Sequence, residues 1–232
     1  MGNSVSSVIE HFPALDATGV CVSAFVRRIP GVDVSHDKAE VLRRLDAAHR
    51  EARTALGIGD WPLVTAEQVH GNRVAIVHRG EAERSRVDLA PTSDEQLAGY
   101  DGFVTNLRGI SLGIHVADCC AVYIVDSKTP AIGLVHSGKK GSELNIVGNA
   151  IALMRDRFGS KPSNLVVQLS PCIRPPHYEI DFAAQIREQV KSLGVRQIHD
   201  SGVCTACDLD SFYSYRAEKG KTGRMLALFA LR

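Results

Sequence analysis

Apolar residues along this chain group into short runs separated by turn residues. Apolar runs of this length are typical of buried strands, whereas apolar residues spaced three and four apart indicate a helix that faces a core. We predict strands over residues 19–26, around a turn at Gly71-Asn72 within 61–77, and over 100–106, 110–116, 121–125, 131–135, 165–169 and 225–231.

Three segments instead show helical spacing. We predict helices over 37–57 with Asp37 as the N-cap, over 142–159 with Ser142 as the cap and Gly159 as the end, and over 182–193. The polar segment 81–96 is predicted as a loop or a ragged helix. Because the strands cluster and do not alternate with helices, the pattern favours an α+β fold over a doubly wound parallel sheet.

The composition is that of an ordinary globular chain of 232 residues, with 44% hydrophobic residues and a formal net charge of +1. We expect one domain over residues 1–232. The balanced charge argues against bulk binding to nucleic acid or to an acidic membrane surface. Neither a membrane span nor a signal peptide is expected. The first residues also match the loose N-myristoylation pattern through Gly2 and Ser6.

Six cysteines stand at positions 21, 119, 120, 172, 204 and 207. We expect reduced thiols in a cytoplasmic protein, so a cysteine used in chemistry is a better expectation than a disulfide scaffold. Cys204 and Cys207 form a C-x-x-C pair, which makes half a zinc site, a redox pair or two packed cysteines in a turn. Without a second pair, the sequence favours the packed turn.

The segment 131–146, AIGLVHSGKKGSELNI, resembles a phosphate-binding loop. Gly133, Gly138 and Lys139 have the G-x-x-x-x-G-K spacing, but Gly133 lies inside an apolar run. Lys140 also stands where a serine or threonine would hold magnesium. We therefore do not predict a nucleotide hydrolase. The two lysines before a predicted helix are consistent with an anion site or with a solvated basic turn.

Three residues at turns or strand ends carry side chains that bind zinc well. His70 lies in EQVHGN, Cys119 closes GIHVADC, and His136 follows the apolar run 131–135. Three such ligands leave a fourth position open for water or substrate. Their spacing matches no zinc finger or ribbon, so hydrogen-bonded packing roles stay open for both histidines.

Several motifs occur in the order found in the YfiH-like family, whose members were once called laccase-domain or multicopper polyphenol oxidases. They are EQVHGNRV, DGFVTN, HVADCCAVYIVD, GLVHSGKKG, SPCIRPPHYEI, GVCT and FYSYRAEKGKTGRM. The resemblance covers about residues 65–232. Separated motifs in the right order are more specific than any one of them.

The resemblance implies that one zinc is bound by His70, Cys119 and His136, and not by His115 or Cys120. It implies two packed mixed β-sheets flanked by helices, a layered α/β/β/α fold like that of toxin deamidase domains. It also implies phosphorolysis of adenosine, inosine and guanosine, with methylthioadenosine cleavage and adenosine deamination as associated activities. The partners would be a purine nucleoside and phosphate, and the oligomeric state is not indicated.

Further site residues follow from the same resemblance. Arg50 aligns with an arginine that helps to bind phosphate or substrate. Lys139 and Lys140 replace a tryptophan and an arginine that the family usually has, which leaves substrate choice open. A phosphate held there would stabilise positive charge on the ribose as its bond to the purine breaks. Asp118 is a candidate base for deamination, or a partner that holds a ligand histidine.

Other functions share these residues. In a cysteine hydrolase or amidase, Cys119 would be the nucleophile and His136 or His70 the base. A copper-dependent polyphenol oxidase is less favoured, because nine scattered histidines without H-x-H pairs do not suit several copper atoms. A structural zinc domain that binds a partner is also consistent with the sequence. Metal content and an open coordination position distinguish these hypotheses.

Overall fold

A computed structural model describes residues 5–78 and 94–232 of the protein. Gly2 and most of the polar segment 81–96 lie outside the described residues. The strands are β1 (Ile9–Glu10), β2 (Cys21–Val26), β3 (Leu63–Ala66), β4 (Val74–Val77), β5 (Glu95–Leu97), β6 (Gly102–Thr105), β7 (Ser111–Val116), β8 (Cys120–Asp126), β9 (Ala131–Ser137), β10 (Leu165–Leu169), β11 (Gln197–Asp200) and β12 (Met225–Leu231). The α-helices are α1 (Pro13–Asp16), α2 (Lys38–Ala55), α3 (Lys139–Glu143), α4 (Ile146–Phe158) and α5 (Phe182–Ser192).

The strands form two mixed sheets of six strands each. Sheet A has the order β1-β2-β12-β7-β3-β5, and sheet B has the order β11-β10-β8-β9-β6-β4. Both sheets combine parallel and antiparallel pairs. This is the α+β architecture that the hydrophobic pattern favours, with the two packed mixed sheets that the family resemblance implies.

Side chains of β8 alternate between two apolar cores. Tyr123 and Val125 lie in the core between the sheets, whereas Val122 and Ile124 lie in the core beneath α4 and α5. Because successive strand side chains point to opposite faces, a strand covered on both sides must be apolar throughout. The Tyr123 hydroxyl donates to the carbonyl oxygen of Ala24 at 2.7 Å, which links sheet B to sheet A.

Helix α2 follows its prediction closely. The carboxylate of Asp37 accepts hydrogen bonds from the N–H groups of Ala39 and Glu40 at 2.9 and 3.0 Å, which caps the helix start. Val41 and Leu45 on its apolar side are fully buried and belong to the core that sheet A also lines. Among the described residues, no helix is both long and apolar enough to cross a membrane.

The helix predicted over 142–159 begins later than expected. Asn145, not Ser142, is its N-cap, and the Asn145 side-chain oxygen accepts from the N–H three residues on at 3.3 Å. The Ser142 hydroxyl is already engaged, because it donates to the carbonyl oxygen of Gly138 at 2.8 Å within α3. Gly159 ends α4 in the left-handed conformation, as predicted.

The two strands predicted over 61–77 do not pair with each other. β3 pairs with β5 and β7 in sheet A, whereas β4 pairs with β6 in sheet B. The turn at Gly71-Asn72 therefore carries the chain from one sheet to the other. His70 lies at this crossing.

A buried histidine predicts how stability depends on pH. His49 on α2 is 5% exposed, and burial, partly opposed by the charge of Asp46, lowers its pKa to about 4. The unfolded chain, with a pKa near 6.5, then binds more protons than the folded chain as pH falls from 6.5 toward 4. We therefore expect the free energy of unfolding to hold its full value above pH 6.5. It should decline by about 3 kcal/mol on acidification, as the buried His49 resists protonation.

Urea unfolding measured between about pH 7 and pH 4.5 checks this expectation. A His49→Gln variant removes the titrating group and should give a flatter dependence of the free energy of unfolding on pH. Equal pH dependence in the two proteins would show that His49 is not the source.

Candidate metal centre

The structure brings His70, Cys119 and His136 together, with one ligand atom of each within 4.8 Å of the others. β8 and β9 pair so that Cys119, just before β8, lies across from Gly138, two residues after His136. A Cβ atom at Gly138 would lie 2.5 Å from the Cys119 sulfur, so a side chain there would displace the thiol. The strand register thus explains two of the three candidate ligands.

His70 reaches the cluster from the turn between the sheets. Both Gln68 and His70 have positive φ angles, of 63° and 61°, which non-glycine residues adopt only where the surroundings enforce them. The Gln68 side chain supplies part of that enforcement, because its amide donates to the His115 carbonyl and accepts from the His115 N–H. The His70 ring lies edge-on to the His136 ring, with centroids 4.8 Å apart.

Asp101 holds this arrangement together. Its fully buried carboxylate accepts hydrogen bonds from the N–H groups of His70 and Gly71, each at 2.8 Å. The same carboxylate lies 3.0 Å from Nδ1 of His136. With Nδ1 engaged, Nε2 of His136 is the nitrogen left for a metal, as is usual for metal-bound histidines.

Sequence reasoning missed Asp101 as a site residue. It is the first residue of DGFVTN, but an aspartate before a strand is also an ordinary turn residue. Its partner His136 lies 35 positions away. Only the pairing of β6 with β9 brings the two residues together.

The electrostatics of the cluster favour the metal-binding thiolate form of Cys119 but the protonated form of His136. Burial raises the pKa of the Cys119 thiol, but the charge of His136 and hydrogen bonds from His136 and His70 lower it to about 6. Burial lowers the pKa of His136, but the charge of Cys119 and the hydrogen bond to Asp101 raise it to about 9. At neutral pH the pair is a thiolate beside an imidazolium, and metal binding would release the imidazolium proton.

The donor set fits zinc. One thiolate and two imidazoles are borderline-soft ligands of the kind that zinc prefers. Within the described residues, no fourth histidine, cysteine or carboxylate joins the cluster. Three protein ligands leave one coordination position open for water or substrate, as in catalytic zinc sites.

The cluster lies in the wall of a cavity of about 700 Å³, within the size range of small-molecule sites. Its lining combines apolar and aromatic side chains with basic ones. The former are Ile173, Tyr178, Phe182 and Tyr215, and the latter are Lys38, Lys139, Lys140, Arg216 and Arg224. Such a lining suits a ligand with one flat ring and one anionic group.

Asp118 lines the cavity but does not hold a ligand histidine. Its two carboxylate oxygens accept from the Thr205 hydroxyl at 2.8 Å and from the Arg216 N–H at 2.7 Å. The backbone of Asp118 has a positive φ of 82°. Its carboxylate is hydrogen-bonded to the part of the chain that carries Thr205 and Arg216. Of the two roles that the sequence leaves open for Asp118, support of a ligand histidine falls to Asp101, whose carboxylate lies against Nδ1 of His136.

Arg50 does not line the cavity, which corrects the expectation that it binds phosphate there. It lies on the exposed side of α2, pairs with Asp46 at 2.9 Å, and borders a separate groove beside Asp94. The part of α2 that reaches the cavity is its first residue, Lys38, whose ammonium donates to the Glu67 carbonyl at 3.2 Å.

The segment 131–146, which resembles a phosphate-binding loop in sequence, has two structurally different parts. Gly133 lies inside β9, where an added Cβ would meet Met154 and Val104 at 3.3 Å, so it is a packing glycine. Lys139 and Lys140 are exposed at the start of the five-residue helix α3 and line the cavity. The segment therefore contributes cations to the cavity and does not form a nucleotide-binding loop.

A family model identifies the family to which the chain belongs. The chain matches the family model described as multi-copper polyphenol oxidoreductase laccase over residues 17–184 and 177–232. The protein belongs to this family, as the sequence motifs predict.

Particular relatives are similar over most of the chain. Purine nucleoside phosphorylase YlmD of Geobacillus stearothermophilus is 29% identical over 224 residues, covering 82% of this chain and 80% of the relative. A purine nucleoside phosphorylase of Corynebacterium glutamicum is 30% identical over 195 residues, covering 73% of this chain and 74% of the relative. The relatives thus carry the name of a nucleoside-cleaving enzyme.

Solved structures show the same fold. The crystal structure of YlmD from Geobacillus stearothermophilus aligns with a TM-score of 0.74 at 24% identity, covering 97% of this chain and 99% of that chain. The Bacillus licheniformis hypothetical protein YfiH aligns with a TM-score of 0.74 at 22% identity, covering 91% and 93%.

The position of Asp101 predicts its effect on metal binding. We expect Asp101→Asn to weaken zinc binding by about 10- to 100-fold, because His136 loses the carboxylate that orients it and raises its basicity. Chelator competition measures the affinity, and subtracting the titration of a Cys119→Ala variant isolates this cluster. The matched control is Asp126→Asn, an equally buried aspartate that accepts from the N–H groups of Lys128 and Thr129. Equal affinity in the Asp101→Asn and Asp126→Asn proteins would contradict the assignment.

Proposed function

We propose that the protein is a zinc-dependent purine nucleoside phosphorylase. It would cleave adenosine, inosine or guanosine with phosphate to the purine base and ribose 1-phosphate, and methylthioadenosine is a further candidate substrate. The observation that carries the proposal is the cluster of His70, Cys119 and His136 in the wall of a cavity lined by aromatic rings and cations. The names of the relatives support the same reaction.

The aromatic wall suits a purine. Tyr215 is 56% exposed although it is a large ring, and it lines the cavity. The Arg224 guanidinium lies over this ring, 5.9 Å from its centroid, and adds positive charge beside it. A purine that stacks on this ring would be stabilised by base–aromatic stacking, which does not require hydrogen bonds to particular atoms of the base.

The cations suit phosphate and the transition state. Lys139, Lys140 and Arg216 line the cavity, and Arg216 also lies over the Tyr178 ring at 4.9 Å. Phosphate held by these groups would attack the anomeric carbon as the bond to the purine breaks. The ribose then carries positive charge, which the adjacent dianion stabilises.

The three ligands would hold the zinc, and Asp101 would keep His136 oriented. When bound, zinc supplies a Lewis acid and lowers the pKa of a bound water toward about 7. That chemistry is also what adenosine deamination requires, and we include deamination as a side activity of the proposal. Asp118 is the candidate base, although both of its oxygens already accept hydrogen bonds.

A cysteine hydrolase or amidase is the second candidate. The observation that favours it is the lowered pKa of Cys119, about 6, beside His136 with a raised pKa of about 9. A thiolate–imidazolium pair of this kind is a nucleophile with its acid partner. Zinc on the sulfur would remove that nucleophile, so metal content separates the two candidates.

Copper-dependent polyphenol oxidation is less supported. The family description names it, but the cluster offers two histidines and one cysteine, enough for one metal atom and not for several. The proposal further takes residues 1–232 as one domain in the cytoplasm. The six cysteines are free thiols, which agrees with a reducing compartment.

The direct test incubates metal-analysed protein with adenosine or inosine, with and without phosphate, and identifies products by chromatography. We expect phosphate-dependent release of adenine or hypoxanthine together with ribose 1-phosphate. Cys119→Ala and His70→Ala should each reduce the rate at least about 100-fold, because each removes a ligand of the catalytic metal. Cys21→Ala, at a cysteine in the core between the sheets, is the matched control and should keep the activity.

The outcomes separate the candidates. Inosine formed from adenosine without phosphate would make deamination the main activity. Full nucleoside cleavage by the Cys119→Ala protein would contradict the proposal. Metal-free parent protein that is alkylated fastest at Cys119 and hydrolyses amides would favour the cysteine hydrolase.

The stacking surface gives a separate prediction. We expect Tyr215→Ala to raise KM for the nucleoside by about 5- to 150-fold, which corresponds to about 1–3 kcal/mol of lost stacking. Tyr215→Phe keeps the ring and should leave KM near the parent value. A Tyr215→Ala protein with unchanged KM would show that the purine does not stack there.

A further inference from the structure

A second group of metal-binding side chains lies outside the proposed active site. His177, Cys204 and Cys207 each offer one ligand atom, and these atoms all lie within 4.8 Å of one another. Nδ1 of His177 is 3.8 Å from the sulfur of Cys204 and 3.5 Å from the sulfur of Cys207. His177 is the third ligand that the C-x-x-C pair lacks in the sequence.

These distances match the edges of a zinc tetrahedron. Zinc–sulfur bonds of about 2.3 Å and zinc–nitrogen bonds of about 2.0 Å at tetrahedral angles separate nitrogen from sulfur by about 3.5 Å. Hydrogen bonding explains the geometry less well, because one imidazole nitrogen has a single lone pair or a single N–H to share between two thiols. Convergence of three ligand atoms on one point suits a metal ion.

Backbone hydrogen bonds hold the segments that carry His177, Cys204 and Cys207 in place without a metal ion. Cys172 and Cys204 form a parallel bridge, in which the Cys172 N–H donates to the Val203 carbonyl at 3.2 Å and the Thr205 N–H donates to the Cys172 carbonyl at 3.2 Å. The guanidinium of Arg174 also donates to the Val203 carbonyl at 3.3 Å. The segment that carries His177 and the segment that carries both cysteines are therefore held side by side.

The site is open to solvent and balanced in charge. His177 and Cys207 are exposed, so an ion can reach them from outside. Two thiolates and a neutral imidazole would neutralise a divalent cation. Within the described residues, no further histidine, cysteine or carboxylate belongs to this cluster, so water would complete the tetrahedron.

We propose that His177, Cys204 and Cys207 bind a second zinc ion, separate from the one at Cys119. It would clamp the turn 174–178 to the loop 203–207. Both segments reach the main cavity, since Tyr178 lines it and the Thr205 hydroxyl donates to Asp118 at 2.8 Å. The second zinc would therefore stabilise one wall of the main cavity without touching the substrate.

Zinc analysis of the parent protein and of single variants tests the proposal. We expect Cys207→Ser and His177→Ala each to lose one zinc per chain relative to the parent, and His199→Ala, an exposed histidine nearby, to lose none. Cys119→Ala removes the other ion, so the Cys119→Ala, Cys207→Ser double variant should lose both. The difference between parent and Cys207→Ser does not depend on whether the first site is a phosphorylase centre.

Two further readouts keep the test decisive. Circular dichroism should show that the Cys207→Ser protein is folded, and hydrogen exchange in residues 174–178 and 203–207 should be faster than in the zinc-loaded parent. Unchanged zinc content in a folded Cys207→Ser protein overturns the proposal. A disulfide between Cys204 and Cys207 in the freshly purified parent, found by mass spectrometry without reductant, also overturns it in favour of a redox pair.

Discussion

The buried carboxylate of Asp101 is the interaction on which the candidate site depends. It accepts from two N–H groups of the turn that joins the two sheets, and it lies against Nδ1 of His136 on β9. A fully buried aspartate would be costly without such partners. The charge-assisted hydrogen bonds bring its pKa below the ordinary value although burial alone would raise it. One residue thus fixes the sheet crossing and the orientation of a candidate metal ligand together.

The cavity wall that carries Asp118 depends on a second chain of contacts. Asp118 precedes Cys119 and bonds Thr205, which follows Cys204 directly. A change at the proposed second zinc would therefore be transmitted through two neighbouring residues to the thiolate of the first site. With metal bound, the two clusters would hold loops that line the cavity, and these loops start from the ends of strands.

Local sequence patterns predicted the parts of the structure that local forces determine. The apolar run of β8 and the Asp37 cap depend on neighbours in the chain, and both were predicted from those neighbours. The cap of α4 was misplaced because Ser142 and Asn145 are both good capping residues and only the folded turn distinguishes them. Asp101 and His177 were missed since their partners lie 35 and 30 positions away. Arg50 was placed wrongly because it lies before the part of the chain that the resemblance covers, and its alignment did not show which side of α2 faces the cavity.

Anomalous X-ray diffraction at the zinc absorption edge, from crystals grown with inosine and phosphate, tests the central claim most directly. The account predicts a zinc peak within bonding distance, about 2.0–2.3 Å, of His70, Cys119 and His136, with the nucleoside in the same cavity. A nucleoside bound there without a peak at these three residues would contradict it, and so would a peak there with the nucleoside bound elsewhere.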